Sequence, residues 1–152
     1  MTMTGPGLWH SVRRWPYRLR SHILRQRWGQ SLAARVGHEL SPDRWVFIIS
    51  CYNSGTTLLR EVLRQHPAIG VLPGEGVRFT DALPRPEQFG WNRMWCRCVD
   101  QVRLDPGPAA AALARRAQRQ WSVLYPSRPV LLEKSIADAA RVLSRYLNGI
   151  II

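Results

Sequence analysis

Lysine is almost absent from this chain, and its absence from one loop excludes a common class of enzyme. Of the 22 lysine and arginine residues, one is lysine, Lys134, and the other 21 are arginine. The nucleotide-binding loop G-x-x-x-x-G-K-[ST] requires a lysine directly after its second glycine. In the most comparable loop of this chain Gly55 is followed by Thr56, and Ser50 stands where that motif has its first glycine. Hydrolysis of ATP or GTP is therefore not expected.

Cysteines and long apolar runs are also scarce. The chain has 3 cysteines, Cys51, Cys96 and Cys98, too few for a disulfide framework. The last two lack the two-residue spacing of a zinc or redox pair, and no histidine neighbours them, so no metal site is expected. No apolar run reaches the ~18 residues that cross a bilayer, and no apolar segment precedes a signal-peptide cleavage site. These absences predict a cytoplasmic protein, and a Golgi-type enzyme without its anchor stays open.

Acidic residues are outnumbered, since 10 aspartates and glutamates face the 22 basic residues and leave a net charge of +12 on 152 residues. Half of that excess, +6, lies in a basic N-terminal arm, residues 1–44, where eight arginines face Glu39 and Asp43. The arm also carries Trp9, Trp15 and Trp28. Its apolar residues predict a basic amphipathic helix after Pro16. This composition favours a nucleic acid or another anionic surface as partner, although an excess of arginine can also reflect a GC-rich genome.

The most informative segment that is present is a strand, a turn and a helix. Residues 45–49 form a continuous apolar run typical of a buried strand. After Gly55 the period becomes helical, with one apolar face made by Leu58, Leu59, Val62 and Leu63. The turn between them consists of Asn53, Ser54, Gly55, Thr56 and Thr57. Backbone N–H groups, two threonine hydroxyls and the positive end of a helix would meet there, which predicts a phosphate or sulfate site. The alternative is an ordinary turn with Ser54 as helix cap.

This segment resembles the 5′-phosphosulfate loop of the sulfotransferases, a strand followed by (Lys or Arg)-Ser-Gly-Thr-Thr and a helix. The matching residues are Ser54 to Thr57, Leu58-Leu59-Arg60 and His66-Pro67, as in the branch that includes tyrosylprotein sulfotransferases and many bacterial enzymes. Asn53 replaces the basic residue of the family and brings no charge. The resemblance implies an α/β fold with a P-loop-like, three-layer parallel sheet and flanking helices. It also implies 3′-phosphoadenosine 5′-phosphosulfate as the sulfonate donor.

A second predicted strand, residues 129–135, ends in Glu133-Lys134-Ser135. It resembles the family's strand ending in Glu-Lys-Ser, whose lysine approaches the sulfonate. In a chain so rich in arginine, a compact ammonium at the end of a buried strand indicates that a point charge is needed there. Ser135 and Asp138 form a capping-box-like helix start. The alternative is that Lys134 is an exposed strand-end residue paired with Glu133.

Between these strands, residues 69–76 form a glycine-rich segment that contains Glu75. In tyrosylprotein sulfotransferases a glutamate of this segment is the catalytic base. Glu75 is the nearest match, with two extra residues before it and with Gly76 where a second acidic residue often occurs. A carboxylate beside an anion-binding loop could take the proton of an acceptor. The alternatives are a solvent-exposed turn glutamate and His66 as the base.

The resemblance covers residues 45–152, which correspond to the N-terminal part of a sulfotransferase domain. The family's arginine and serine for the 3′-phosphate have no match after Lys134, so the domain is expected to be truncated and inactive by itself. Residues 77–104 resemble the variable acceptor-side segment, where Trp91 and Trp95 could stack on a sugar or phenol. Asp105 is expected to cap a long helix over residues 109–125.

The sequence thus predicts a protein that transfers a sulfonate group to a hydroxyl or amine acceptor of unknown identity. Two alternatives remain. One is a protein that binds nucleic acid or an anionic surface through its basic arm. The other is an inactive P-loop-like remnant, or a related transferase such as a kinase that lacks its lysine.

Overall fold

The computed structural model describes residues 15–50, 53–92, 94–135 and 149–151, so Cys51 and Asp138 lie outside the described residues. The strands are β1 (Arg44–Ile48), β2 (Ile69–Val71), β3 (Val130–Lys134) and β4 (Gly149–Ile151). The helices are α1 (Tyr17–Ile23), α2 (Arg27–Val36), α3 (Thr56–Arg64), α4 (Val99–Val102) and α5 (Pro108–Ser122). Single 3₁₀ turns span Gly76–Phe79, Pro86–Phe89 and Trp95–Arg97. The predicted α/β class is confirmed as a small parallel sheet with flanking helices.

The sheet has the strand order β2-β3-β1-β4, and every neighbouring pair is parallel. Ile48 at the end of β1 lies beside Lys134 at the end of β3. In this order β2, which follows β1 in the chain, lies at one edge of the sheet, and β4, which follows β3, lies at the other edge. In open parallel sheets, ligands bind at the carboxyl ends of strands where the connections diverge in this way. The ends of β1 and β3 therefore mark the position where a site is expected.

The core forms around β1 because its side chains alternate between two buried faces. On one face Trp45 stacks on Phe47, with ring centroids 5.9 Å apart, and lies 6.2 Å from the ring of Trp121 on α5. On the other face Ile48 packs in a smaller cluster with Val71 and Leu132. The observed strand begins one residue earlier than predicted and ends at Ile48. Burial on both faces explains its continuous apolar sequence.

A helix follows Pro16 as predicted, but the described part of the basic arm forms two helices, α1 and α2, with a turn between them. The chain turns at Leu24, whose side chain is 1% exposed in the main core. The Gln30 side chain donates a hydrogen bond to the Leu24 carbonyl (3.0 Å) and thereby satisfies the end of α1. Gln120 of α5 donates to the Gln30 carbonyl (3.0 Å). Residues 17–36 consequently share one core with the residues that follow Arg44.

A partly exposed polar cluster connects α5 to the start of the 77–104 segment. Arg116 donates to both carboxylate oxygens of Asp81, each at 2.8 Å, and Gln120 donates to the first of them at 2.7 Å. These hydrogen bonds, chiefly those from Arg116, hold the pKa of Asp81 below its ordinary value. The charge-assisted pair therefore fixes the loop that leads from Gly76–Phe79 toward Pro86.

Helix α5 begins one residue before the predicted start at Ala109 and ends at Ser122, three residues before the predicted end. Gly107 is its N-cap residue and Pro108 its first helical residue, a position where proline loses no intrahelical hydrogen bond. Asp105 instead pairs with Arg103 at 2.8 Å, so the prediction that it caps the helix was wrong. Within the described ranges, no helix combines the length and the apolar character of a membrane span.

Candidate functional site

The turn after β1 adopts a backbone conformation that favours its small residues. Asn53 has φ 62° and Gly55 has φ 79°, both in the left-handed region. Asparagine and glycine tolerate this region better than other residues. A Cβ atom placed on Gly55 would have no neighbour within 4 Å, so this residue faces open space. Gly55, and not Ser54, is the N-cap residue of α3, which corrects the alternative interpretation of the turn.

The first turn of α3 presents free backbone donors. The first helical hydrogen bond runs from the Leu59 N–H to the Gly55 carbonyl (3.1 Å), so the N–H groups of Thr56, Thr57 and Leu58 have no partner within the helix. No described side chain caps them. The Ser50 hydroxyl donates to the Thr56 hydroxyl (3.3 Å) and joins the end of β1 to the helix. This arrangement is suited to an anion, because the donors and the helix dipole act in the same direction.

The apolar face of α3 exists as predicted, but much of it is not covered. Leu58 and Val62 are 71% and 59% exposed, whereas Leu63 packs against the small cluster around Ile48. The helix is thus attached to the sheet mainly through its C-terminal half. Its N-terminal turn projects over the carboxyl end of the sheet.

Lys134 and Glu75 form an ion pair beside this turn. The Lys134 ammonium donates to Glu75 Oε1 at 2.8 Å, and its side chain is 6% exposed. Arg78 Nε lies 4.0 Å from the other carboxylate oxygen of Glu75. The alternative in which Lys134 is exposed and paired with Glu133 was therefore wrong. Glu75 is likewise not an unpaired turn glutamate.

Glu133 points to the opposite face of β3, as strand alternation requires. This carboxylate is 1% exposed, and its Oε1 accepts hydrogen bonds from the Gly76 N–H (2.6 Å) and the Ser135 hydroxyl (2.5 Å). The indole N–H of Trp121 donates to the Gly76 carbonyl (2.9 Å). Adjacent residues of one strand thus hold the same loop in two ways: Glu133 binds its backbone and Lys134 binds the Glu75 side chain.

Ser135 belongs to this support, and the helix start predicted at Ser135 and Asp138 lies outside the described residues. Its hydroxyl accepts a hydrogen bond from the Val77 N–H (3.3 Å) while it donates to Glu133. Sequence reasoning missed the role of Glu133. The available signal was a carboxylate at an inward position of an otherwise apolar strand, where burial requires hydrogen-bond partners.

Gly76 lies where the surrounding side chains leave no room for a Cβ atom, and this leads to a first prediction. A Cβ atom on Gly76 would lie 2.3 Å from Glu133 Oε1 and 2.9 Å from Trp121 Cζ2, whereas on Gly74 its nearest neighbour would be Phe79 Cε2 at 3.6 Å. We expect Gly76→Ala to lower the free energy of unfolding by about 1–3 kcal/mol, because two buried groups must move. Gly74→Ala should leave it nearly unchanged. Urea denaturation of both variants measures this, and equal stabilities would contradict the described loop packing.

One open cavity of about 570 Å³ collects the predicted site residues at the carboxyl end of the sheet. Its lining consists of Asn53, Ser54, Gly55, Thr56, Thr57, Leu58, Glu75, Arg78, Glu87 and Lys134. All seven residues proposed from the sequence are among them. The sequence did not single out Arg78 and Glu87, which come from the segment assigned to the acceptor side.

Other candidates lie elsewhere. His66 follows the far end of α3 and lines a different groove. The ten residues from Thr56 to His66 place it about 15 Å from the anion-binding turn along the helix axis. Trp91 and Trp95 do not line the cavity. In the described part of the chain no three His, Cys, Asp or Glu side chains are grouped so that they could hold a metal ion.

Comparison with known proteins does not assign this site. No family model matches the chain, and no curated protein or solved structure shows a significant match to it. The function must therefore be argued from the cavity itself.

Proposed function

We propose that this chain is a sulfotransferase-like protein with a P-loop-like sheet. In this proposal the turn from Asn53 to Thr57 binds the 5′-phosphosulfate of 3′-phosphoadenosine 5′-phosphosulfate, and the sulfonate passes to a hydroxyl or amine acceptor. The observation that carries the proposal is the joint lining of one cavity by the anion-binding turn, Lys134 and Glu75. These residues come from three separate segments of the chain. A cytoplasmic location stays a prediction.

The proposed reaction requires few groups. The acceptor oxygen or nitrogen attacks sulfur in line, a new bond to sulfur forms, and the sulfur–oxygen bond to the phosphate breaks. The leaving phosphate keeps the electron pair and departs as adenosine 3′,5′-bisphosphate. Backbone donors at the start of α3 and the Lys134 ammonium would stabilise that developing charge. Glu75 would take the acceptor proton as attack proceeds.

The ion pair between Lys134 and Glu75 fits both roles. A carboxylate beside an anion-binding turn would repel the donor, and the ammonium 2.8 Å away offsets that repulsion. Because Lys134 is held at the end of β3, its charge needs no reorganisation when a donor enters. One cation can therefore attract the phosphosulfate and keep the base next to it.

Arg78 compensates in this proposal for the missing charge at position 53. Asn53 offers hydrogen bonds without a positive charge, whereas Arg78 lines the same cavity, and its side chain is 59% exposed. A guanidinium is well suited to phosphate and sulfate groups because it donates two parallel hydrogen bonds. The required charge would thus come from the loop that carries Glu75.

The donor turn is tested by Gly55→Val with Gly90→Val as a matched control. Both glycines have nearly the same left-handed φ, 79° and 78°, and a Cβ on either meets nothing within 4 Å. Only Gly55 lines the cavity. Loss of one or two backbone contacts to the phosphate should weaken adenosine 3′,5′-bisphosphate binding by about 10–100-fold in Gly55→Val. Gly90→Val carries similar backbone strain and should bind like the parent chain.

Isothermal calorimetry measures both variants, with circular dichroism to verify that each is folded. Equal affinity in the parent and in Gly55→Val would disprove the assignment of the turn. ATP serves as the competing nucleotide. Tight ATP binding without binding of the bisphosphate would favour the kinase-like alternative instead.

A further inference from the structure

A second cavity lies at the amino ends of the strands, opposite the donor cavity. It has a volume of about 480 Å³ and is lined by Tyr17, Arg20, Arg64, Gln65, His66, Pro67, Ile69, Val71, Leu124, Tyr125, Pro126 and Arg128. We call it the arginine groove. It opens near the first residues of β2 and β3, whereas the donor cavity lies at the last residue of β3. The five residues of β3 separate the amino and carboxyl ends of the strand by about 16 Å. The arginine groove is therefore not an extension of the proposed donor site.

The lining of the arginine groove is positively charged. It contains three arginines and one histidine, and no carboxylate is among its lining residues. The nearest acidic side chain on α3, Glu61, is shared between Arg60 at 2.5 Å and Arg64 at 3.6 Å. Glu39 lies in the adjoining groove on the other side of Arg128. Within the described ranges no carboxylate forms an ion pair with Arg128.

The phenol of Tyr17 lies in the same positively charged environment. Burial raises the pKa of its phenol, while the charges of Arg64, Arg20 and Arg60 oppose that rise. Three guanidinium groups from two helices therefore act on one phenolic oxygen. Glu61 offsets part of this positive charge through Arg60 and Arg64, and a bound anion would offset more of it.

Hydrogen bonds within the chain already hold two side chains that line the groove, Arg20 and His66. Arg20 donates through Nη1 to the Val123 carbonyl (2.6 Å) and lies 5.7 Å from the centre of the Tyr17 ring. Nδ1 of His66 accepts a hydrogen bond from the Ala68 N–H (3.2 Å), so in the neutral ring Nε2 carries the proton and acts as a donor. A ligand would meet these groups with little loss of side-chain freedom.

We infer that the arginine groove binds a small molecule that carries two or more linked phosphate groups. Linked phosphate groups present more negative charge and more acceptor oxygens to the three arginines than a single phosphate does. Guanidinium groups bind phosphate oxygens in a bidentate manner, and a volume of about 480 Å³ is of the size that holds a small ligand. This inference does not depend on the proposed sulfonate transfer.

The test uses inorganic pyrophosphate as the probe and the double variant Arg64→Gln/Arg128→Gln. Its matched control is Arg35→Gln/Arg115→Gln, which removes the same charge from exposed positions outside the groove. Calorimetry at low salt gives affinity and stoichiometry, and the NMR signal of the Tyr17 ring reports occupancy of the groove itself. Gly55→Val is titrated in parallel, because pyrophosphate can also enter the donor cavity.

We expect the groove variant to bind pyrophosphate about tenfold or more weakly than the parent, because each lost charge-assisted contact carries an effect of that order. The control pair should differ from the parent by less than twofold, and the Tyr17 signal should shift in the parent and in Gly55→Val. Three results would each overturn the inference. They are equal weakening in both double variants, loss of all binding in Gly55→Val, and binding of anionic lipid vesicles without binding of pyrophosphate.

Discussion

Replacement of Glu75 by glutamine is expected to lower the turnover of sulfonate transfer by roughly 10²–10⁴-fold, the range found when a general base is removed. The structure makes this substitution informative. Glutamine retains an oxygen that can accept the hydrogen bond from Lys134, which in the parent chain spans 2.8 Å. The fold should therefore change little, and donor affinity should not fall, because the repulsive carboxylate charge is removed.

The measurement follows transfer of labelled sulfonate to an acceptor found by screening hydroxyl and amine compounds. Glu39→Gln is the matched control, since Glu39 is exposed and lies outside the donor cavity. Affinity for adenosine 3′,5′-bisphosphate is measured for both variants. A loss of turnover without a loss of affinity supports the role of a base.

Unchanged turnover in Glu75→Gln would mean that Glu75 is not the base. His66, the second candidate from the sequence, could not then replace it simply. It lies about 15 Å away along α3 and lines the arginine groove. The acceptor proton would have to leave through a group outside the donor cavity or through solvent.

The strand-turn-helix could be predicted from sequence because each of its signals is local. An apolar run indicated β1, the change of period at Gly55 indicated α3, and small polar residues indicated the turn between them. The observed bounds, Arg44–Ile48 and Thr56–Arg64, differ from the expected ones by little. Local signals of this kind do not depend on the arrangement of distant segments.

The contact between Glu75 and Lys134 could not be predicted from local sequence patterns. Both residues were proposed for the site, but in separate roles, and they are 59 positions apart in the sequence. Their meeting depends on two facts of the tertiary structure: the parallel register that sets Lys134 beside Ile48, and the hydrogen bond that holds the Gly76 backbone on Glu133. Neither is encoded in the spacing of residues along the chain.

The packing of the basic arm also could not be predicted from local sequence patterns. Its amphipathic pattern indicated a buried face and did not indicate what would cover it. In the structure α2 packs against α5, and Leu24 enters the main core. Charge alone had favoured a nucleic acid or another anionic surface as partner, and the burial of Leu24 and Ala33 adds that the described part of the arm packs into the core.

Removal of the charge of Lys134 is expected to lower turnover by about 10²-fold or more, because a cation that acts on the leaving phosphate contributes mainly in the transition state. Lys134→Ala removes the charge and the volume, and Lys134→Met removes the charge alone from a side chain that is 6% exposed. Both variants should lose turnover to a similar degree. A large loss in Lys134→Ala with normal turnover in Lys134→Met would show that the residue only fills space.

A double-mutant cycle separates the two functions that the geometry allows for this ammonium. If Lys134 merely orients Glu75, then Lys134→Met should have no further effect once Glu75 has been changed to glutamine, since nothing remains to be oriented. If Lys134 stabilises the leaving phosphate, its removal should still cost about 10²-fold in the Glu75→Gln background, because effects on separate steps of charge development multiply. We expect the second result. The same cycle measured on bisphosphate affinity should show a loss for Lys134→Met in both backgrounds, since the 5′-phosphate of the product carries the charge that develops on the leaving group during transfer.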